Sequence, residues 1–375
     1  MKTGKLQIWV PELVAREGGI QSYSNEMLEA VVEILGPERV TVLSKSDNQA
    51  ALRIFCGEKV EAHSLGHVPS GVRTLAFSEL LLRKGLTEKP DLILSTHAHF
   101  SPVGKMLGLR ARIPVAISAH GVEVWNLPRG RTRNGLLATD TILPVSEYTR
   151  DRLMSELGLP AERFEIIHNT FDAKIFSPGP ARMKLRETYG LRPEDKLLLC
   201  VSRMEASEQY KGYRQIIQVM PSLIQKIPGL KFMVVGRGSD RKNMEGLAGR
   251  LGVREHVIFT GYVSSEELPD HYRLADAFAM PSKREGFGIV YLEAMGCGRR
   301  CLGGNKDAAR DALRNGELGV LVDPDDLQDL EQGVLRLFKE PPPEPEKLHH
   351  LANQYFGRDV FRTKVRALLE SFGLR

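Results

Sequence analysis

Short apolar runs alternate with helical patterns along this chain, and that alternation limits the fold more than any other feature. Residues 6–10, 40–43, 91–95, 115–118 and 141–145 read as strands, and residues 22–34 read as a helix between the first two. These runs are apolar throughout rather than at every second position, as parallel strands covered on both faces must be. Ser146 stands where it can cap a further helix, with Thr149 at the third helical position. Phe176-Ser177-Pro178-Gly179-Pro180 is linker-like punctuation, after which the pattern restarts. Residues 196–202, 231–236, 256–260, 277–280 and 300–303 supply a second set of strands, and 318–322 adds another. Helical segments such as 212–227 and 240–251 lie between them.

At 375 residues the chain exceeds one ordinary core. The expected architecture is α/β, with two doubly wound domains facing each other across a cleft. The first covers residues 1–174, with a terminal helix over about 357–375 packing back on it, and the second covers 175–356. Lys339-Glu340-Pro341-Pro342-Pro343-Glu344-Pro345 reads as a stiff exposed connector ahead of an amphipathic helix at 361–372.

Hydrophobic content of 42% and charged content of 26% are those of a soluble globular protein. A formal charge of +5 does not point to nucleic acid. The charge is uneven, however. Between Asp91 and Asp140 the only acid is Glu123, beside Lys105, Arg110, Arg112, Arg129, Arg131 and Arg133. Such a stretch suits an anionic membrane or an acidic substrate, and equally an ordinary solvated surface. Cys56, Cys200, Cys297 and Cys301 are few and scattered, which fits a reduced cytoplasmic setting. The N-terminal residues lack an apolar signal core, and no run reaches the roughly 18 apolar residues of a spanning helix.

Chemistry concentrates in Lys283-Arg284-Glu285-Gly286-Phe287-Gly288-Ile289-Val290-Tyr291-Leu292-Glu293. The glycines let backbone N–H groups approach a ligand closely, and a helix N-terminus beyond them favours phosphate charge. With a helix starting near Gly288, Glu293 lies roughly 7–8 Å further along its axis, about the reach from a diphosphate to a ribose diol. Arg203 and Lys211 follow the strand at 196–202, where doubly wound folds bind ligands, and suit a diphosphate clamp. Surface charges at loop ends are common, so the pair gains weight from the glutamate segment downstream.

Weaker signals surround this segment. Val234-Val235-Gly236-Arg237-Gly238-Ser239 begins like a dinucleotide fingerprint, but Arg241 replaces its third glycine, so a tight strand-to-helix turn is expected. Gly261 and Tyr262 end the following strand, where exposed backbone can meet a nucleobase edge. His120 precedes Gly121 at a strand end and reads either as a ligand contact or as a structural histidine. His97 and His99 lack a declared third metal ligand. Asp323-Pro324-Asp325-Asp326 is read as a proline turn with a helix cap rather than as a metal site. No P-loop motif is present.

Together these residues resemble the retaining glycosyltransferases of family 4, which have the GT-B fold, and in particular bacterial exopolysaccharide and lipid-linked glycan transferases. The resemblance spans most of the chain, and Glu285 to Glu293 is its most specific element. It implies a cytoplasmic hexosyltransferase, peripheral at the cytoplasmic face of the inner membrane, that uses a nucleotide sugar, with a UDP-hexose favoured and GDP-mannose the alternative donor. It implies that Glu285 binds donor-sugar hydroxyls, that the backbone of Phe287, Gly288 and Ile289 holds sugar and phosphate, and that Glu293 binds the ribose. Arg203 and Lys211 would neutralise the leaving diphosphate, His120 would approach the sugar, and Gly18 and Gly19 would border donor and acceptor. Neither a metal nor another cofactor is implied. Two departures stand out. His168-Asn169-Thr170-Phe171-Asp172 replaces a usual Pro-Asn-Gly-Val-Asp, and Asn305-Lys306-Asp307-Ala308-Ala309-Arg310-Asp311 replaces a usual Gly-Gly-x-x-Glu turn. A nucleotide-sugar epimerase, a glycogen-synthase-like polymerase and a catalytically silent sugar-nucleotide-binding protein are the other readings.

Overall fold

The computed structural model describes residues 4–15, 18–341 and 343–375. The chain divides into two compact units, Met1–Thr170 with Asp359–Arg375, and Phe171–Arg358. In the first unit, β1 (Leu6–Val10), β2 (Val40–Ser44), β3 (Glu61–Ser64), β4 (Leu92–Ser95), β5 (Val115–Ala119) and β6 (Thr141–Pro144) form a parallel sheet in the order β3-β2-β1-β4-β5-β6. In the second unit, β7 (Lys196–Val201), β8 (Leu230–Val235), β9 (Val257–Gly261), β10 (Ala277–Met280), β11 (Arg300–Gly304) and β12 (Gly319–Val322) form another. Its order, taken from one edge, is β9-β8-β7-β10-β11-β12. The two units therefore share one winding, and each reverses direction beside its first strand. That switch point, where open α/β sheets bind ligands beyond the strand carboxyl ends, lies between β1 and β4 and between β7 and β10.

Every expected strand is present, with ends shifted by a residue at most. Each residue of β1, β4, β5 and β10 is buried, which explains their unbroken apolar reading. β3 was not expected. It is an edge strand that exposes Glu61, which pairs with Lys84 at 2.7 Å, and its polar residues hide it from an apolar-run reading. The first helix, Gly19–Leu35, starts ahead of the expected Ser22. Ser146 does cap its helix, Glu147–Leu157, by accepting from the Thr149 N–H. Within the expected connector, Pro345 opens a helix, Pro345–Phe356, in the first-turn place where its missing N–H is harmless; Pro342 lies outside the described residues. The terminal helix Arg358–Ser371 joins the first unit from Asp359 onward. There Phe361 meets the Tyr23 ring at 5.8 Å and the Lys364 ammonium donates to the Ile166 carbonyl.

One glycine fixes how the second site is assembled. Gly212, between the β7 loop and the helix Tyr213–Lys226, has φ 87°, and a Cβ there would lie 2.3 Å from the Pro281 carbonyl oxygen. The loops after β7 and β10 touch backbone to backbone at this point. Gly212→Ala must strain φ and push the loops apart, which costs about 1–3 kcal/mol. Gly249→Ala, in a helix and with nothing among the described residues within 4 Å of its added methyl, should be neutral or stabilising by up to about 1 kcal/mol. Urea melts of the two variants check this, and equal midpoints would contradict it.

Candidate active site

In the second unit, the β7 loop and the β10 loop bring Lys211 and Glu285 together. The Lys211 ammonium lies 2.6 Å from Glu285 Oε2, and both side chains are largely buried. Burial opposes the charge on Lys211, but attraction to Glu285 and the hydrogen bond outweigh it and raise its pKa. Lys211 stays protonated and retains further donors for an anion. Arg203 also follows β7. Its guanidinium pairs with Glu208 at 2.6 Å while 73% of its side chain is exposed. The Glu208 side chain is only 16% exposed, so the pair sets a solvent-facing guanidinium on a largely buried carboxylate.

The segment after Glu285 turns into the helix Ile289–Gly296 through Gly288, which has φ 91°. Phe287 is buried against the Phe356 ring at 5.5 Å. Its side chain therefore anchors the segment and leaves only its backbone for a ligand. Glu293, on that helix, accepts from the Tyr272 hydroxyl at 2.7 Å. Burial lifts its pKa to about 7, partly offset by the Tyr272 hydrogen bond.

Sequence reasoning did not single out Asp307 as a site residue, although it lies in the departure at 305–311. The structure shows what it does. One carboxylate oxygen accepts from the Glu285 N–H at 2.6 Å and the Ser282 hydroxyl at 2.7 Å, and the other accepts from the Ala309 N–H at 3.0 Å. Asp307 thus clamps the main chain of Glu285 from the turn after β11. Burial raises its pKa to about 6 against these bonds. Asp323 pairs with Lys306 at 2.6 Å, and Asp325 pairs with Lys306 and Lys283. Asp326 caps the helix Leu327–Lys339. These carboxylates are thus engaged by lysines and backbone. Among the described residues no cluster of three or more His, Cys, Asp or Glu could hold a metal ion.

Gly236 and Gly261 are joined, the Gly236 N–H donating to the Gly261 carbonyl at 2.8 Å. Tyr262 beyond them is 55% exposed. The tight turn expected at Gly236 is present, since a Cβ there would lie 2.0 Å from the Ser202 carbonyl.

The first unit gathers its candidates at its own switch point. His120 directly follows β5, and its Nε2 lies 2.7 Å from the Thr96 carbonyl after β4. A carbonyl only accepts, so Nε2 carries a proton and donates this bond. The Tyr23 ring meets the His120 ring edge-on at 4.9 Å. His97 accepts from the His99 N–H through Nδ1. Burial, then His120, His99 and Lys45, lower its pKa to about 3, so it is neutral. Gly18 precedes the helix Gly19–Leu35 with an extended φ of 167°, and among the described residues nothing would lie within 4 Å of a Cβ on Gly19. The described residues therefore do not themselves demand glycine at Gly19. The loop ahead of them is held by buried Asp47, which accepts from the N–H groups of Leu13, Val14 and Ala15 and from the Ser44 hydroxyl. No local sequence signal marks Asp47 as a brace, because the backbone it holds, residues 13–15, lies more than thirty residues earlier in the chain.

A family model described as Glycosyltransferase Family 4 matches residues 18–174, and one described as Glycosyl transferases group 1 matches residues 181–355. The GDP-mannose-dependent alpha-(1-6)-phosphatidylinositol monomannoside mannosyltransferase of Mycobacterium tuberculosis is 32% identical over 331 residues, 82% of each chain. The protein of the same name from Mycolicibacterium smegmatis is 35% identical over 258 residues. That match spans 65% of each chain, just under two thirds of the relative's length. Among solved structures, Anabaena HepE in complex with UDP and glucose matches with a TM-score of 0.79 at 19% identity, covering 98% of this chain and 100% of that one. At that identity the likeness is one of fold.

The Glu293 environment predicts a pH dependence of stability. Its folded pKa of about 7 lies above the ~4.3 of a free glutamate. Ionisation therefore costs the folded chain more than the unfolded one. The contribution to stability is full below about pH 4, falls as pH rises, and levels off above about pH 7. Glu293→Gln removes this step, so the variant should gain on the wild type in urea melts between about pH 5 and about pH 8. Parallel stability curves would contradict the burial of this charge.

Proposed function

The chain belongs to the family 4 glycosyltransferases, GT-B enzymes that transfer a sugar from a nucleotide sugar, and we propose that it moves a hexose with retention of configuration to a hydroxyl of a glycan or lipid-linked acceptor. The observation that carries this reading is the Lys211–Glu285 contact beside the helix that bears Glu293. It joins a cation for the leaving diphosphate, a carboxylate for sugar hydroxyls and a second carboxylate for a ribose diol. The sequence alone favours a UDP-hexose donor. The names of the two mannosyltransferase relatives move the proposal to GDP-mannose.

In the proposed reaction, Lys211 and Arg203 bind the diphosphate, and Arg203 exchanges Glu208 for phosphate oxygens. Backbone N–H groups at Gly288 and Ile289 add to this charge stabilisation at the helix N-terminus. The bond from sugar C1 to the β-phosphate oxygen breaks, and C1 develops oxocarbenium character. The acceptor oxygen attacks from the face the leaving group vacates and gives its proton to a β-phosphate oxygen. Glu285 positions the sugar through its hydroxyls. In the first unit, His120, held in one tautomer by Thr96, offers Nδ1 as a partner for a hydroxyl, and Gly18 and Gly19 leave room for a ligand at the start of the helix Gly19–Leu35. Gly261 and Tyr262 face the base. The cations carry the electrostatic work of a metal, so none is required.

A lipid-linked acceptor fits the basic stretch of the first unit. Lys105 and Arg110 lie on the helix Ser101–Ala111, which also exposes Leu109, and it packs against the helix Arg131–Ala138, which begins with Arg131 and Arg133. Peripheral contact with an anionic membrane is proposed on that basis. Among the described residues no helix is long and apolar enough to cross a membrane.

One transfer assay tests these claims together. It supplies radiolabelled GDP-mannose or UDP-glucose with EDTA present, and offers a phosphatidylinositol-linked mannoside in anionic or neutral vesicles. The expected result is retained-configuration mannosyl transfer that survives EDTA and is faster on anionic vesicles at low salt. Glucose transfer alone would return the donor to UDP-hexose. Loss of activity restored only by Mg²⁺ or Mn²⁺ would overturn metal independence, and equal rates on both vesicles would favour a soluble acceptor.

A further inference from the structure

Arg237 follows Gly236 at the carboxyl end of β8, and Tyr262 follows Gly261 at the carboxyl end of β9. Both leave from pinned backbone. The Gly236 N–H donates to the Gly261 carbonyl at 2.8 Å, and the Arg237 carbonyl accepts from the Met204 N–H at 3.0 Å. The Arg237 guanidinium lies 5.2 Å from the centre of the Tyr262 ring. Among the described residues no carboxylate pairs with Arg237. Arg241 nearby differs, since Glu245 at 2.9 Å and the Phe259 carbonyl at 3.2 Å occupy its guanidinium. Arg237 is thus an exposed guanidinium steadied by an aromatic plane, with its paired donors uncommitted.

Strand order places this pair in line with the rest of the site. β10, β7, β8 and β9 are consecutive in the sheet. The groups proposed for sugar and diphosphate follow β10 and β7. Glu293, proposed for the ribose, touches Tyr272 on the helix that follows β9. By that strand order, the side of the ribose site away from β10 is the side of β8 and β9, where a base would lie.

We infer that Arg237 is a specificity-determining residue that selects guanine, its two parallel N–H donors meeting O6 and N7 of the base while Tyr262 holds the guanidinium in place. The chemistry discriminates. Guanine presents two adjacent acceptors on that edge. Adenine places an amino donor beside N7, and uracil flanks O4 with an N–H donor and a C–H, so neither matches an arginine fork. The role rests on the nucleotide-sugar reading above, and it supplies the nucleotide preference from the site's own residues.

Calorimetry of the full chain with GDP, ADP, UDP and 7-deaza-GDP tests it. The wild type should bind GDP most tightly. Arg237→Ala should weaken GDP about tenfold or more while leaving UDP within about twofold. The 7-deaza analogue, which lacks the N7 acceptor, should bind the wild type less tightly than GDP and lose less than GDP does on Arg237→Ala. Equal losses for GDP and UDP in Arg237→Ala would show a general electrostatic or folding role and overturn the assignment. So would a wild type that binds UDP as tightly as GDP. If none of the natural diphosphates bound the wild type, the transferase reading would fall together with this one, whereas tight GDP binding insensitive to Arg237→Ala would overturn this one alone.

Discussion

The contact between Lys211 and Glu285 holds the second site together, and most other features there can be understood as its supports. It joins loops from two adjacent strands, β7 and β10, at the point where the sheet reverses its winding. A largely buried ion pair is a poor source of stability, because desolvating two charges cancels most of their attraction. Its value here is positional. It keeps a cation protonated in a place that burial alone would make hostile, and it aims a carboxylate beside that cation. Leaving either charge unpartnered would cost more than forming the pair gains. The surrounding structure therefore has to hold both loops in register, and Gly212 and Asp307 do so from opposite sides.

The same device appears in both units. In the first, the Asp47 carboxylate gathers three successive backbone N–H groups ahead of Gly18. In the second, the Asp307 carboxylate gathers the N–H groups of Glu285 and Ala309. Hydrogen bonds from neutral donors to a charged acceptor are about twice as strong as neutral pairs. One buried aspartate can thus order a loop that has little apolar surface of its own. Each unit brings this to a sheet of the same winding, so the repetition extends from topology to the way loops are braced.

Much of this was legible in the sequence. Parallel strands covered on both faces read as unbroken apolar runs, so β1, β4, β5 and β10 declared themselves. β3 did not, since an edge strand with Glu61 outward has no such run. The spacing from Glu285 to Glu293 was legible because both lie in one local segment. Asp307 and Asp47 do not read as braces because the main chain each one holds, at Glu285 and at residues 13–15, is brought near only by folding. The departure at 305–311 was visible as a departure, but its consequence needed the coordinates. Tyr272 and Arg237 were silent for the same reason, each acting on a residue from another strand end or helix. The expected roles of His120, Gly18 and Gly19 came from resemblance, and the structure adds the tautomer of His120 and, among the described residues, the absence of steric need for glycine at Gly19.

The most direct test of the central claim is a double-mutant cycle on donor turnover with Lys211→Met, Glu285→Gln and the two combined, measured as kcat/KM. If the two residues act as one unit, the double variant should lose little more than the worse single variant, with a coupling of about 2 kcal/mol. Losses that add to within about 0.5 kcal/mol would show that the residues act independently, and would contradict this account of the site.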